Sequence, residues 1–215
     1  MNLATRLADG IAGLGFAIPH ETQLLLLQYL ALIQKWNHVH NLTAVREPET
    51  MLARHLLDSL AILPHIAGER IADVGSGAGL PGIPLALVRP EWHVALIESN
   101  HKKAIFLQQA RIELKLKNVE VVAGRVENFS SAEGFDVVIS RAFSDLSDFV
   151  KLAGHLCREG DGGGRLVAMK GIYPHEELAQ LKSEPNPQFI VEKILPIAVP
   201  SLAAERHLIM IQRYG

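Results

Sequence analysis

The spacing of hydrophobic positions divides the chain into two parts. Up to about residue 66 apolar side chains recur every three or four positions, at Leu25, Tyr29, Leu32, Trp36 and Val39, then at Leu52, Leu56, Leu60 and Leu63. That is the stripe of helices packed on one side. Asn37–Pro48 reads as the loop between them, and Pro64 closes the second helix. On that helix Arg54 and Asp58 lie four apart on the face opposite the leucines, as do His55 and Ser59. From residue 69 the pattern becomes short apolar runs alternating with helical stretches. Strands are predicted at Arg70–Val74, Val94–Glu98, Val119–Ala123, Asp136–Ser140, Leu166–Lys170, Phe189–Leu195 and His207–Gln212. Helices are predicted at Leu80–Val88, Lys102–Leu116, Leu146–Cys157 and His175–Lys182. Gly160–Gly164 and Pro185–Pro187 read as loops. Alternation of this kind implies an α/β fold, a mostly parallel sheet covered by helices on both faces. The last two strands lack a helix between them and so predict an antiparallel strand near one edge. The expected organisation is a helical extension over residues 1–66 and an α/β domain over 67–215.

One stretch carries the chemistry. Ile71–Gly82 reads IADVGSGAGLPG, a short apolar run followed by glycines at alternate positions, Gly75, Gly77 and Gly79. This is a strand, a tight turn and a helix, with bare backbone where a ligand can approach. Glu98 ends the next strand, at the distance a ribose-binding acid takes in a nucleotide-type βαβ unit. An adenosine-bearing cofactor is therefore expected. Gly77–Gly82 also fits G-x-G-x-x-G, which makes a nicotinamide or flavin enzyme a rival, although such a match is unspecific. Asp73 argues against it: a carboxylate beside a dinucleotide pyrophosphate is repulsive, whereas S-adenosylmethionine carries a sulfonium, an ammonium and no phosphate. The alternative for Asp73 is a helix cap or turn residue.

Composition narrows the field. The chain has 215 residues, 48% of them hydrophobic and 20% charged, which suits a folded α/β domain plus an accessory segment but leaves no room for a separate substrate domain. With a net charge of −2, any nucleic-acid contact must come from a local patch. Lys102, Lys103, Arg111, Lys115 and Lys117 against Glu113 alone form one candidate, and Lys35, Arg46 and Arg54 a second; a solvated helix face is the alternative for the first. The single Cys157 rules out internal disulfides and cysteine-rich zinc sites, which suits the cytoplasm. No signal peptide is expected, because Asp9 comes early and no basic start leads into an apolar core. Thr22–Gln34 is free of charge but short of the about 20 residues a membrane span needs. His55, Asp58 and Ser59 are triad residue types on one helix without oxyanion donors, so hydrolysis is not expected. His38, His40 and His55 lack supporting carboxylates or cysteines, so no metal site is expected.

The D-x-G-x-G-x-G arrangement after a first strand resembles motif I of class I, Rossmann-like methyltransferases. Further strings resemble one family among them, the bacterial GidB-type 16S ribosomal RNA guanine-N7 methyltransferases. These are Asn41–Ala44 with Arg54–Ser59, the DVGSGAGLPGIPLA run, Gly124–Glu127, Ile139–Phe143, and Val199-Pro200 with Glu205–Leu208. The resemblance spans nearly the whole chain in order; Glu98 stands where the family more often shows Asp. It implies a seven-stranded sheet with one antiparallel strand, a helical N-terminal extension, S-adenosylmethionine as cofactor, and methylation of a guanine in the 530 loop. The partner implied is 16S rRNA or an assembling small subunit, with no membrane and no obligate protein partner.

The same resemblance implies roles. Within the cofactor-binding set, Gly75, Gly77 and Gly79 would let the loop backbone lie along the methionine and ribose portions, with Leu80 packing at the loop's far side and Asp73 suited to the cationic groups. Glu98 would accept from the ribose hydroxyls, and Val126 and Glu127 would border the adenine. Glu127 as a helix N-terminal acid is the alternative. Arg141, where the fourth parallel strand ends, would lie near both cofactor and target base, the alternative being a salt-bridged structural arginine. Lys170 is a second candidate for contacting base or backbone, with Arg206 and His207 behind it. The chemistry is compatible. Methylation of an exocyclic amine would need proton removal, and enzymes that do this often carry an Asn/Asp-Pro-Pro-aromatic turn where this chain has Ser140-Arg141-Ala142-Phe143. Cytosine C5 needs a cysteine nucleophile, and Cys157 reads as a mid-helix core residue. Guanine N7 offers a free lone pair and asks mainly for alignment.

Overall fold

The computed structural model describes residues 2–141, 143, 145–160, 163–184 and 188–214. Two helices open the chain, α1 (Leu3–Gly13), capped by the Asn2 side chain, and α2 (His20–His40). A broken helix follows: α3 (Pro48–Met51), a π-helical turn (Leu52–Leu57) and α4 (Asp58–Leu60). The α/β part then alternates β1 (Arg70–Val74), α5 (Gly82–Val88), β2 (His93–Glu98), α6 (His101–Glu113), β3 (Val119–Ala123), β4 (Val137–Ser140), α7 (Leu146–Ala153), β5 (Arg165–Lys170), α8 (His175–Lys182), β6 (Phe189–Pro196) and β7 (His207–Arg213). Every predicted strand forms, with ends displaced by at most one residue.

The seven strands lie in the order β3-β2-β1-β4-β5-β7-β6. Strands β1 to β5 are parallel, and β7 runs antiparallel between β5 and β6. The central strands are buried on both sides because helices cover both faces. On one face a buried cluster joins Leu7, Leu26, Ile33, Met51 and Leu56 of the helical segment to Ile83, Leu96 and Phe106. On the other, Phe149 and Leu156 pack with Val138, Leu166 and Ile209.

Several helices differ from expectation. Helix α2 runs on to His40, through the first residues of the predicted loop, and stops where Asn41 adopts a left-handed conformation (φ 47°). Its buried residues are Leu26, Tyr29, Leu30, Leu32, Ile33 and Asn37, a stripe turned from the predicted one, which leaves Val39 73% exposed. The second amphipathic run is buried almost all round: His55, Asp58 and Ser59 are enclosed along with the leucines. Helix α5 starts at Gly82 rather than Leu80, because the Ser76 carbonyl accepts the Gly79 and Leu80 N–H groups and closes a turn first. Helix α6 ends before Lys115, which is left-handed (φ 54°). Helix α7 ends at Ala153, and Cys157 is not mid-helix. It follows a 3-10 turn (Gly154–Leu156) and bridges Phe135, though it is a buried core thiol as expected. The predicted loop at Pro185–Pro187 and part of that at Gly160–Gly164 lie outside the described residues. Among the described residues no helix is long and apolar enough to cross a membrane.

Candidate active site

The strand order reverses between β1 and β4, and in open α/β sheets ligands bind beyond the carboxyl ends of the strands at such a point. The predicted residues gather there. Ser140 Oγ donates to the Val74 carbonyl at 2.8 Å, tying the ends of β4 and β1 together, so Gly75 and Arg141 leave neighbouring strands side by side.

The glycine loop is shaped from below. Gly75, Gly77 and Gly79 all have positive φ (68°, 59° and 86°), conformations that side chains with a Cβ resist. They do different jobs. A Cβ on Gly75 would meet nothing within 4 Å and one on Gly77 only the Gly75 carbonyl at 3.9 Å, so these two present open backbone. A Cβ on Gly79 would lie 2.5 Å from Ile83 Cδ1, so this glycine serves packing against α5. Leu80, 3% exposed, also belongs to the core. Glu98 braces the loop: its Oε2 accepts the Gly77 N–H at 2.8 Å and its Oε1 the Asn100 N–H at 2.7 Å. Tyr29 braces it from the helical segment, its buried hydroxyl donating to the carbonyl of Ala78 and, at 3.2 Å, to that of Gly79. Burial raises the Tyr29 phenol well above its ordinary value, so it keeps its proton as a donor. The sequence reading had Tyr29 only as a stripe member; a hydroxyl within a leucine-rich buried stripe is the signal that would have found it.

Asp73 is fully buried beneath the loop. Its Oδ2 accepts the Gly82 N–H at 2.9 Å at the start of α5, as the cap reading anticipates. Its Oδ1 has no partner among the described residues, and an orphaned carboxylate oxygen suits a cationic ligand group. Burial raises its pKa from 3.8 to about 7, against the lowering effects of the Gly82 N–H and Arg141, with Glu98 adding to the rise. The folded state thus holds a proton on Asp73 that the unfolded chain has released, so the contribution of Asp73 to stability falls as pH rises from about 4 to about 7 and levels off above. His55, lowered from 6.5 to about 4, acts with the opposite sign over most of this range. The Asp73 slope should therefore appear in the difference between the melting temperatures of the parent and Asp73→Asn as pH rises from about 4 to about 7; parallel curves would refute the assignment.

Two cavities open at this end of the sheet. One, about 340 Å³, is lined by Gly75, Ile97, Ser99, Val126, Glu127 and Phe143 among others, bringing together three of the predicted cofactor residues. The second, about 330 Å³, is lined by Thr43, His55, Asp58, Arg54, Arg141, Lys170 and Arg206 among others. The segment after β4 serves both, Phe143 facing the first and Arg141 the second. In this second cleft Arg141 Nη1 donates to the Arg54 carbonyl at 2.9 Å and lies 3.6 Å from Asp58 Oδ2. Lys170 Nζ donates to Glu177 at 2.7 Å and to the Phe143 carbonyl at 3.1 Å. His207 sits outside the cleft's lining, with Nδ1 2.8 Å from the Gly171 carbonyl. His55, its Nε2 3.1 Å from Thr43 Oγ1, is pushed down to about 4 by burial and by Arg141, and is neutral at pH 7. The triad residue types do not connect: Ser59 Oγ donates to the His55 main-chain carbonyl and Asp58 pairs with arginines. The basic run after residue 101 lies elsewhere, on α6, which packs against β2 and β3, and on the turn that follows it.

The fold is that of class I methyltransferases. It resembles a SAM-dependent methyltransferase from Aquifex aeolicus (TM-score 0.57, 16% identity, covering 73% of this chain and 90% of that one). It also resembles the O-methyltransferase TomG from Streptomyces achromogenes in complex with SAM (TM-score 0.59, 17% identity, all of both chains). Sequence gives the closer relation: a protein of Nitrosospira multiformis named ribosomal RNA small subunit methyltransferase G is 68% identical over 219 residues, covering both chains in full. The model of the GidB family, rRNA small subunit methyltransferase G, matches residues 22–209, and the chain belongs to that family.

Proposed function

We propose that this protein transfers a methyl group from S-adenosylmethionine to N7 of a guanine in the 530 loop of 16S rRNA, on ribosomal particles in the cytoplasm. The observation that carries the reading is the pairing of a glycine-loop cavity with a cation-lined cleft at the ends of β1 and β4. Four cations, Arg54, Arg141, Lys170 and Arg206, line that cleft against one carboxylate, which favours a polyanionic substrate over a neutral small molecule. The cofactor supplies an electrophilic methyl group on a sulfonium. Asp73 offers its unpartnered oxygen to the cationic portion, Gly75 and Gly77 their open backbone, and Glu98 its remaining acceptor capacity to the ribose hydroxyls. Val126 and Glu127 border the adenine. Bound there, S-adenosylmethionine would supply that methyl group to the N7 lone pair and would leave as the neutral thioether. No proton leaves, so alignment suffices and no general base is required. Arg141 and Lys170 stand on the substrate side as contacts to the RNA. Lys170 also braces the segment after β4.

The test is methyl transfer from radiolabelled S-adenosylmethionine to 16S RNA, naked or in small subunits, from cells lacking the protein. Chain cleavage specific for N7-methylguanine then maps the product. Incorporation at one guanine of the 530 loop is expected. No incorporation into either form, with cofactor binding intact by calorimetry, would move the activity to another methyl acceptor.

A further inference from the structure

Asp58 is the one acid among the lining residues of the cation cleft, and it is 3% exposed. Its two oxygens face two arginines from distant parts of the chain: Oδ1 accepts Arg206 Nε at 2.7 Å, and Oδ2 lies 3.6 Å from Arg141 Nη1. Two guanidiniums would repel one another at such a meeting point; the buried carboxylate between them holds them together. A second device aims Arg141. In an α-helix the Asp58 N–H would close on the Arg54 carbonyl, four residues back. Across the π turn it reaches the Ala53 and His55 carbonyls instead, and the Arg54 carbonyl accepts Arg141 Nη1. The wide turn thus presents a main-chain acceptor and a carboxylate to the same guanidinium.

Neither arginine is used up. The contacts of Arg141 among the described residues involve Nη1, and those of Arg206 involve Nε and Nη1, the latter donating to the Glu205 carbonyl. Both side chains remain partly open, 27% and 21% exposed. The N–H groups these contacts leave over, Nε and Nη2 of Arg141 and Nη2 of Arg206, are of the kind that grip phosphate oxygens. We propose that Asp58, with the π turn, is a positioning residue that sets Arg141 and Arg206 as a two-arginine clamp on a phosphate of the RNA beside the target guanine. This rests on the reading of the protein as an rRNA methyltransferase.

Asp58→Asn keeps the shape and removes the one negative charge among the cleft's lining residues, which separates aim from bulk attraction. If Asp58 aims the arginines, kcat/KM for methylation of small subunits falls about tenfold, through KM, the scale of one charge-assisted contact. Cofactor affinity stays unchanged, and binding to polyuridylate is equal or tighter. Arg206→Lys, which retains the charge but loses the fork, is expected to give the same fall with cofactor affinity intact, should the first variant fold poorly. Parent-like kcat/KM in both variants overturns the clamp while leaving the methyltransferase reading in place. An equal loss of cofactor affinity also overturns it, by showing a general structural role. A parent protein that methylates no RNA defeats the underlying reading itself.

Discussion

Gly82→Ala is expected to lower the melting temperature by roughly 10 °C and to weaken cofactor binding with it. The added Cβ would lie 2.3 Å from Leu96 Cδ2 and 2.8 Å from Asp73 Oδ2, both on buried central strands. Gly82 is not among the residues with positive φ, so the cost is space rather than backbone strain. Overpacking of this order costs up to about 3 kcal/mol, and a chain of this size loses about 2–4 °C per kcal/mol. Both clashing side chains are buried, so relief must come from repacking Leu96 and Asp73 or from lifting α5 off the sheet. A shift of Asp73 or of α5 disturbs the Gly82 N–H bond to Asp73 beneath the glycine loop. Differential scanning calorimetry with and without S-adenosylmethionine checks both effects; a melting temperature within 2 °C of the parent, by the same scaling, would refute the packing argument.

Glu98→Ala is expected to reduce S-adenosylmethionine affinity by roughly a hundredfold or more, about 3 kcal/mol or above. Glu98 is 6% exposed and holds two N–H groups, those of Gly77 and Asn100. Alanine removes the proposed ribose acceptor and at the same time leaves both donors without their carboxylate, the costly side of hydrogen-bond loss. Glu98→Gln separates the parts: a neutral amide oxygen can still accept one N–H but not both, so an intermediate loss is expected. Isothermal titration resolves the series. Equal affinity in all three proteins would remove Glu98 from the cofactor site.

The strands, the glycine loop and the position of Arg141 were legible because each depends on local pattern: short apolar runs, alternate glycines, a residue just past a strand end. The face of α2 was not. Residues 24–27 and 29–33 are almost all apolar, so periodicity leaves the phase open and the packing partners choose it. The extension of α2 was signalled only by Asn41, a residue that tolerates the left-handed conformation ending the helix. The π turn was invisible because Leu52–Leu60 fits α-helical spacing equally well, and the carbonyl it frees, that of Arg54, finds its donor in Arg141, 87 residues away. Asp58 read as a surface partner of Arg54 because nothing local reveals that Arg206, 148 residues away, closes over it.

The Tyr29 hydroxyl links two parts of the chain that composition separates. It is a single rigid strut from α2 to the carbonyls of Ala78 and Gly79, so a displacement of that helix is transmitted to the cofactor loop. In mechanical terms the helices are part of the frame that shapes the loop as much as a cover for the sheet.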